Sequence, residues 1–244
     1  MTDPETSRDE VTLRSAAAHV FVDNLDDPSF SAPEMHHLAR VLRLRSDDRI
    51  TLGDGVGRWR VAKVGLQNDS LGPVRTISAP KPALRVGFAL LKGDRNEWVV
   101  QKLTELGVDS IIPLVTSRSV VRWDRDRSAR NHERLTKVAR EASMQCRRVW
   151  LPEVIAPTTI GDLIAQPSGP TTVAVALAEP GGRPPTLEWP TILVGPEGGW
   201  TPDELAVNVP HVGLGPTILR AETAAVVAAT LLVGLRAGTV LPAS

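Results

Sequence analysis

The chain has 244 residues and no net formal charge, with 42% hydrophobic and 23% charged residues, the balance of a folded globular protein of one or two domains. No run of 18 apolar residues predicts a membrane span, and the polar start MTDPETSRDE lacks the basic and apolar regions of a signal peptide. The single cysteine, Cys146, excludes an internal disulfide and a cysteine-based zinc site, so a cytoplasmic location is expected.

Residues 1–10 read as a disordered tail. From residue 11 to 78 the segments HVFVDN, RITLGDG, GRWRVAKVGL and GPVRTISA alternate with Gly and Asp-Gly turn signals, which predicts a small β-rich domain. One helix, SAPEMHHLARVLRL, interrupts it, with Ser31 as cap, Pro33 in the first turn and Glu34 as capping acid. Residues 79–84, with two prolines, read as a linker. From residue 85 to 244 strands and helices alternate. RVGFALL (85–91) is a buried strand. In the next helix Asp94 and Glu97 suggest a capping box, Trp98, Val99, Leu103 and Leu106 an apolar face, and Gly107 a stop. Strand 110–116, a helix from Ser128 to about Cys146, a short helix near TTIGDLIA, strand 171–178, strand 191–195, helix TPDELAV, strand 211–215 and helix Glu222–Arg236 follow. This order predicts an α/β domain with a mostly parallel sheet covered on both faces. The last helix is apolar nearly all round, which suits burial on more than one side and a homodimer.

The charge is segregated. Arg118–Arg148 holds ten Lys and Arg against four acids, His36–Lys63 seven against three, and the chain after Arg148 three against eight. Such segregation fits a polyanion-binding face or, equally, solvated helices.

Ligands of open parallel sheets bind beyond the carboxyl ends of the strands. Three such ends stand out: ALAEPGG (176–182), LVGPEGGW (193–200) and LGPTILRAETAA (214–225). Their glycines let backbone approach a ligand, or simply make tight connections. No dinucleotide fingerprint, Walker A loop or nucleophile elbow is present. His36 and His37 read as a helix pair rather than metal ligands, and no metal is expected.

Taken together, LVGPEGGWTPDE and LGPTILRAETAA resemble the SPOUT class of S-adenosylmethionine-dependent RNA methyltransferases. With HHLARVLRLRSDDRITLGDGVG (36–57), LLKGDRNEWVVQKLTELGVDSIIPLVTSRS (90–119) and REASMQCRR (140–148), the likeness is to the family that methylates N3 of uridine 1498 in 16S ribosomal RNA. It spans about residues 20–238. It implies a deep trefoil knot over about residues 172–238, a PUA-like β-barrel as the N-terminal domain, a homodimer through the knot domain, and the small ribosomal subunit as partner. It also implies that Leu177, Val194, Gly195, Glu197, Gly199, Leu214, Gly215, Ile218, Leu219, Arg220, Thr223 and Ala224 hold S-adenosylmethionine. The sequence departs from the family at Ala18-His19, where a basic residue is usual, and at Met144 and Cys146.

Uracil N3 carries a proton and becomes a good nucleophile only when that proton is lost or shared. Arg220 and Glu222 are the candidate catalytic pair, one stabilising negative charge and the other taking the proton or orienting Arg220. Glu222 is equally a helix-start acid. RNA contacts are expected from Arg40, Arg43, Arg45, Lys92, Arg95, Arg118, Arg122, Arg147 and Arg148. The alternatives are a SPOUT enzyme for tRNA or ribose 2′-O methylation, and a non-catalytic RNA-binding assembly factor.

Overall fold

The computed structural model describes residues 4–66, 70–165 and 174–241. They group into two units, one running to Ala79 and including Glu141–Leu151, the other made of Pro80–Arg140 and the chain from Pro152 onward.

The first unit opens with helix α1 (Pro4–Ser15) where a disordered tail to residue 10 was expected. The helix has little amphipathic pattern to announce it. Contacts distant in sequence hold it: Leu13 packs with Trp59 and Val149, and Asp9 pairs with Arg75. Strands β1 (His19–Phe21), β2 (Arg49–Gly53), β3 (Arg58–Lys63) and β4 (Arg75–Thr76) form a four-stranded sheet in that order. β1 runs parallel to β2, and the other pairings are antiparallel. Between β1 and β2 lie α2 (Ala32–His36) and a π-helical turn, His37–Val41. The expected cap is in place, since the Ser31 N–H and Oγ both donate to Glu34 Oε2, at 2.8 and 2.7 Å. Val20, Ile50, Leu52, Ala62 and Val64 fill the core.

Residues 141–151 were expected in the second domain. They belong to the first unit because their bonds go there: Trp150 Nε1 donates to Ile77 O at 2.8 Å, and Arg147 Nη2 donates to Ala16 O and Ala17 O at 3.1 Å each.

The second unit contains β5 (Arg85–Ala89), α3 (Arg95–Leu106), β6 (Ser110–Leu114), α4 (Arg125–Gln145, ending in the first unit), β7 (Glu153–Val154), α5 (Ile160–Ala165), β8 (Val175–Arg183), β9 (Thr191–Val194), α6 (Pro202–Leu205), β10 (His211–Val212) and α7 (Ala221–Ala237). The six strands form one all-parallel sheet in the order β10-β8-β9-β5-β6-β7. Its residues alternate between two cores, as a period of two requires. Val86, Phe88, Ile192 and Val194 pack with Val99, Val100 and Leu103 of α3 and Ala225, Ala228, Ala229 and Leu232 of α7. Ile112, Leu114, Val175, Leu177 and Leu193 pack on the other face with Ile160 and Trp200. Both faces are covered, so the strands read as continuous apolar runs.

The strand expected at 171–178 begins at Val175, residues 171–173 lie outside the described residues, and β8 continues to Arg183. Two details of α3 differ from expectation. Asp94 makes no side-chain cap, and Trp98 is 45% exposed, because the buried stripe is Asn96, Val99, Val100, Leu103 and Thr104. Gly107 ends the helix with φ 103° as predicted. Among the described residues no helix is long and apolar enough to cross a membrane.

Candidate active site

β8, β9 and β10 are neighbours in the sheet and run parallel, so the glycine-bearing segments that follow them open at one edge. The β8–β10 pairing is interrupted there. Consecutive residues His211 and Val212 pair with Leu177 and Arg183, so residues 178–182 have no partner in β10, although Ala178 still pairs with Val194 of β9. The excursion closes by a backbone approach that only glycine permits. A Cβ on Gly182 would lie 2.5 Å from Val212 C and 2.7 Å from Gly213 N.

The excursion and the two loops beyond it enclose a cavity of about 280 Å³. Of the residues predicted to bind the cofactor, Val194, Gly195, Glu197, Gly199, Leu214, Gly215, Ile218, Leu219 and Ala224 line it. Leu177, Arg220 and Thr223 do not. Leu177 is fully buried in the sheet core, while Arg220 and Thr223 are exposed at the start of α7. The lining also takes Ala178, Glu179, Pro180, Pro196, Trp200, Thr217 and Ala221, which sequence reasoning missed. The first three lie within ALAEPGG, one of the three strand ends that stand out in the sequence. Leu177 is the last residue paired with β10 before the interruption, one position short of Ala178, where the lining begins.

Trp200 forms one wall. It is 4% exposed, its Nε1 donates to Ala178 O at 3.2 Å, and its indole lies against Gly195. The loop Gly195–Trp200 is fixed at its far end by a capping box in which Thr201 and Glu204 bond reciprocally. The other oxygen of Glu204 accepts from Ser117 N at 2.8 Å. Burial pushes the Glu204 pKa up, but the hydrogen bonds from Ser117 and Thr201 outweigh it and hold the carboxyl below its ordinary value. Arg118, from which a phosphate contact is expected, donates to Gly198 O at 3.0 Å and to Trp200 O at 2.9 Å, so it braces this loop.

Arg95, from which an RNA contact is expected, bridges two carboxylates within the unit. Its Nη1 lies 3.4 Å from Glu197 Oε1 and 3.4 Å from Glu222 Oε1. Glu222 is therefore oriented by Arg95, and its Oε2 is buried with no hydrogen-bond partner among the described residues. Arg147 is committed to the backbone of the first unit, and burial lowers its pKa. Arg148 is half-buried and has a partner. Arg40, Arg43 and Arg45 in the first unit, and Lys92 and Arg122 in the second, are exposed. Among the described residues no group of three or more His, Cys, Asp or Glu is placed to hold a metal.

The arrangement suits a specific kind of ligand. The lining holds two carboxylates, Glu179 and Glu197, and no Lys or Arg. An acidic cavity with apolar walls and open backbone favours a cation with a flat apolar part, and S-adenosylmethionine, with its sulfonium, ammonium and adenine, is such a molecule. The cavity is therefore suited to S-adenosylmethionine.

The comparisons with known proteins agree. The RNA methyltransferase domain family matches residues 79–233, and the RNA methyltransferase PUA domain family matches residues 30–70. Ribosomal RNA small subunit methyltransferase E of Synechocystis is 34% identical over 221 residues, 82% of this chain and 70% of that protein. The protein of the same name from Mycobacterium tuberculosis is 31% identical over 239 residues, 85% of this chain and 88% of its own. The crystal structure of ribosomal RNA small subunit methyltransferase E from Neisseria gonorrhoeae, bound to S-adenosyl methionine, superposes with a TM-score of 0.68 at 26% identity, covering 87% of this chain and 94% of that one. This chain belongs to the ribosomal RNA small subunit methyltransferase E family.

Proposed function

We propose that the protein methylates N3 of uridine 1498 in the 16S RNA of the small ribosomal subunit, in the cytoplasm and as a homodimer. The observation that carries the reading is the pairing of an acidic cavity with a buried, unpartnered carboxylate oxygen on Glu222 beside it. The cofactor supplies an electrophilic methyl group. Every other requirement falls on the protein: hold the uracil in line with that methyl, take the N3 proton and tolerate the resulting negative charge.

Glu222 sits in the first turn of α7, with Arg95 fixing its other oxygen. Its free oxygen is an acceptor without a donor, which suits the imide N–H of uracil. Arg220, one residue before α7, caps nothing with its side chain and is exposed, so it supplies positive charge to the uracilate. Of the predicted binding set, Gly195, Gly199, Leu214, Gly215 and Leu219 offer backbone and apolar contact to adenine and ribose, and Glu197 faces the cationic end. Ile218 is 91% exposed at the edge of the cavity. A second copy covering it would complete both the site and the knot-domain dimer. The order β10-β8-β9-β5 suits the threaded chain path of a trefoil knot. Exposed Arg40, Arg43, Arg45, Lys92 and Arg122 take phosphates.

The test is incubation with labelled S-adenosylmethionine and small subunits lacking the modification, followed by nucleoside mass spectrometry. Appearance of 3-methyluridine supports the reading. Another methylated nucleoside, or none, refutes the proposed target.

A further inference from the structure

A second cavity of the same unit is not used by the reaction above. It measures about 350 Å³ and lies between the connection from β5 to α3 and the N-terminal half of α4. Lys92, Glu97, Trp123, Arg127, Asn131 and Arg134 give it its chemistry.

Several of its polar groups are already committed. Asn96 is 4% exposed and both ends of its amide bond the Leu91 peptide, Nδ2 to Leu91 O at 2.7 Å and Leu91 N to Oδ1 at 2.9 Å. It fixes the shape of the wall. Glu97 Oε1 receives Arg134 Nε at 2.8 Å. What remains is specific. Glu97 Oε2 is shielded from solvent and has no hydrogen-bond partner. Lys92 and Arg127 are exposed and form no ion pair among the described residues. The indole of Trp123 supplies a flat apolar surface.

A bare phosphate would suit the cations but be repelled by the carboxylate. A metal ion would meet the reverse. A nucleotide satisfies all three elements: its phosphate meets Lys92 and Arg127, its base stacks on Trp123, and an N–H on its edge meets Glu97. Cytosine, adenine and guanine present an amino group. Each amino group offers two N–H donors, one of them open to a carboxylate from the side. Uracil offers a single ring N–H between two carbonyls, which suits a group that removes the proton, as proposed for Glu222, better than one that only accepts a bond. The first turn of α3 carries both Glu97, which lines this cavity, and Arg95, which meets Glu197 and Glu222.

We propose that this cavity binds a second, unstacked nucleotide of the same RNA strand, one bearing an amino group, and so reads sequence near the methylated uridine. The inference rests on the reading of the protein as an RNA methyltransferase.

The experiment measures binding of fluorescein-labelled hexacytidylate and hexauridylate to the full chain by anisotropy, alongside methylation of small subunits by the same preparations. Wild type is expected to favour hexacytidylate by about fivefold or more, within the range of one base-edge contact. Glu97→Gln, whose amide can donate as well as accept, should bring the two within about twofold. Arg127→Ala, at an exposed position, should weaken both equally and lower the salt dependence by about one phosphate; it serves as the second variant should Glu97→Gln disturb Arg134. Equal affinities in wild type, or a preference that survives Glu97→Gln, overturns the proposal even where methylation proceeds. A preference that depends on Glu97 in a protein that methylates nothing upholds the cavity and overturns the enzymatic reading instead.

Discussion

Substituting Gly195 by alanine tests the cavity at one atom. The added Cβ would lie 2.8 Å from Trp200 Cε2, 3.0 Å from Cδ2 and 3.2 Å from Nε1. Carbon contacts settle near ~3.5–4.0 Å, so the indole must retreat by about half an ångström or more. It has little room, being packed among Ile112, Leu114, Leu177 and Leu193. Retreat also stretches its 3.2 Å bond to Ala178 O beyond useful length. Overpacking costs about 1–3 kcal/mol and the lost bond about 1 kcal/mol. Because Trp200, Gly195 and Ala178 all line the cavity, the displacement reaches the ligand directly. Each ~1.4 kcal/mol is tenfold in affinity, so calorimetry should show S-adenosylmethionine binding weakened about tenfold or more, with a melting temperature about 5 °C lower. Trp200→Phe removes the fused-ring atoms that clash. The double variant should therefore lose less than the two single losses combined. An unchanged dissociation constant for Gly195→Ala, or strictly additive losses, would refute the reasoning. Gly195→Val carries the same clash further.

Other outcomes follow from the same geometry. Arg118→Ala should lower the melting temperature by about 2–4 °C, from roughly 1 kcal/mol of largely exposed bonds, and weaken cofactor binding a few-fold; a fall in the salt slope of RNA binding would instead make it a phosphate contact. Glu222→Gln should reduce turnover about a hundredfold or more with the cofactor dissociation constant within about threefold, measured by single-turnover methylation and calorimetry; parallel losses would make Glu222 a cofactor contact. His19 gives a pH test. Burial, reinforced by the charge of Arg147, lowers its pKa from 6.5 to about 4. Below about pH 6.5 the unfolded chain takes a proton that the folded imidazole refuses until about pH 4, so stability is full above pH 6.5 and falls as pH drops through that window. The loss from this group is roughly 2 kcal/mol between pH 6.5 and 5, and urea midpoints at the two values should show it in wild type and not in His19→Phe.

The strands and glycine loops were legible because their signals are local: apolar runs, turn residues and the Thr201–Glu204 box lie within a few positions of what they determine. The intramolecular partners of the arginines show where local signals end. Arg95 meets Glu197 and Glu222 more than a hundred residues away, and Arg118 meets Gly198 eighty residues on. A cluster of arginines looks the same in sequence whether it faces phosphate or ties loops together. The same limit hid α1, whose own pattern is weak and whose partners Trp59, Val149 and Arg75 are supplied by the rest of its unit.

The position of β9 bears on how the protein is made. It lies between β5 and β8, yet about a hundred residues separate it from β5, its partner along Arg85–Phe88. On a ribosome adding about 5–20 residues per second, β5 can pair with β6 early while its other edge waits roughly 5–20 s for β9 to emerge. That edge is an apolar strand with unpaired backbone, the kind of surface that recruits other chains. Nascent chains of this protein therefore pass through a period in which their own centre is exposed, and their yield should respond to translation speed and chaperone supply more than the stability of the finished sheet suggests.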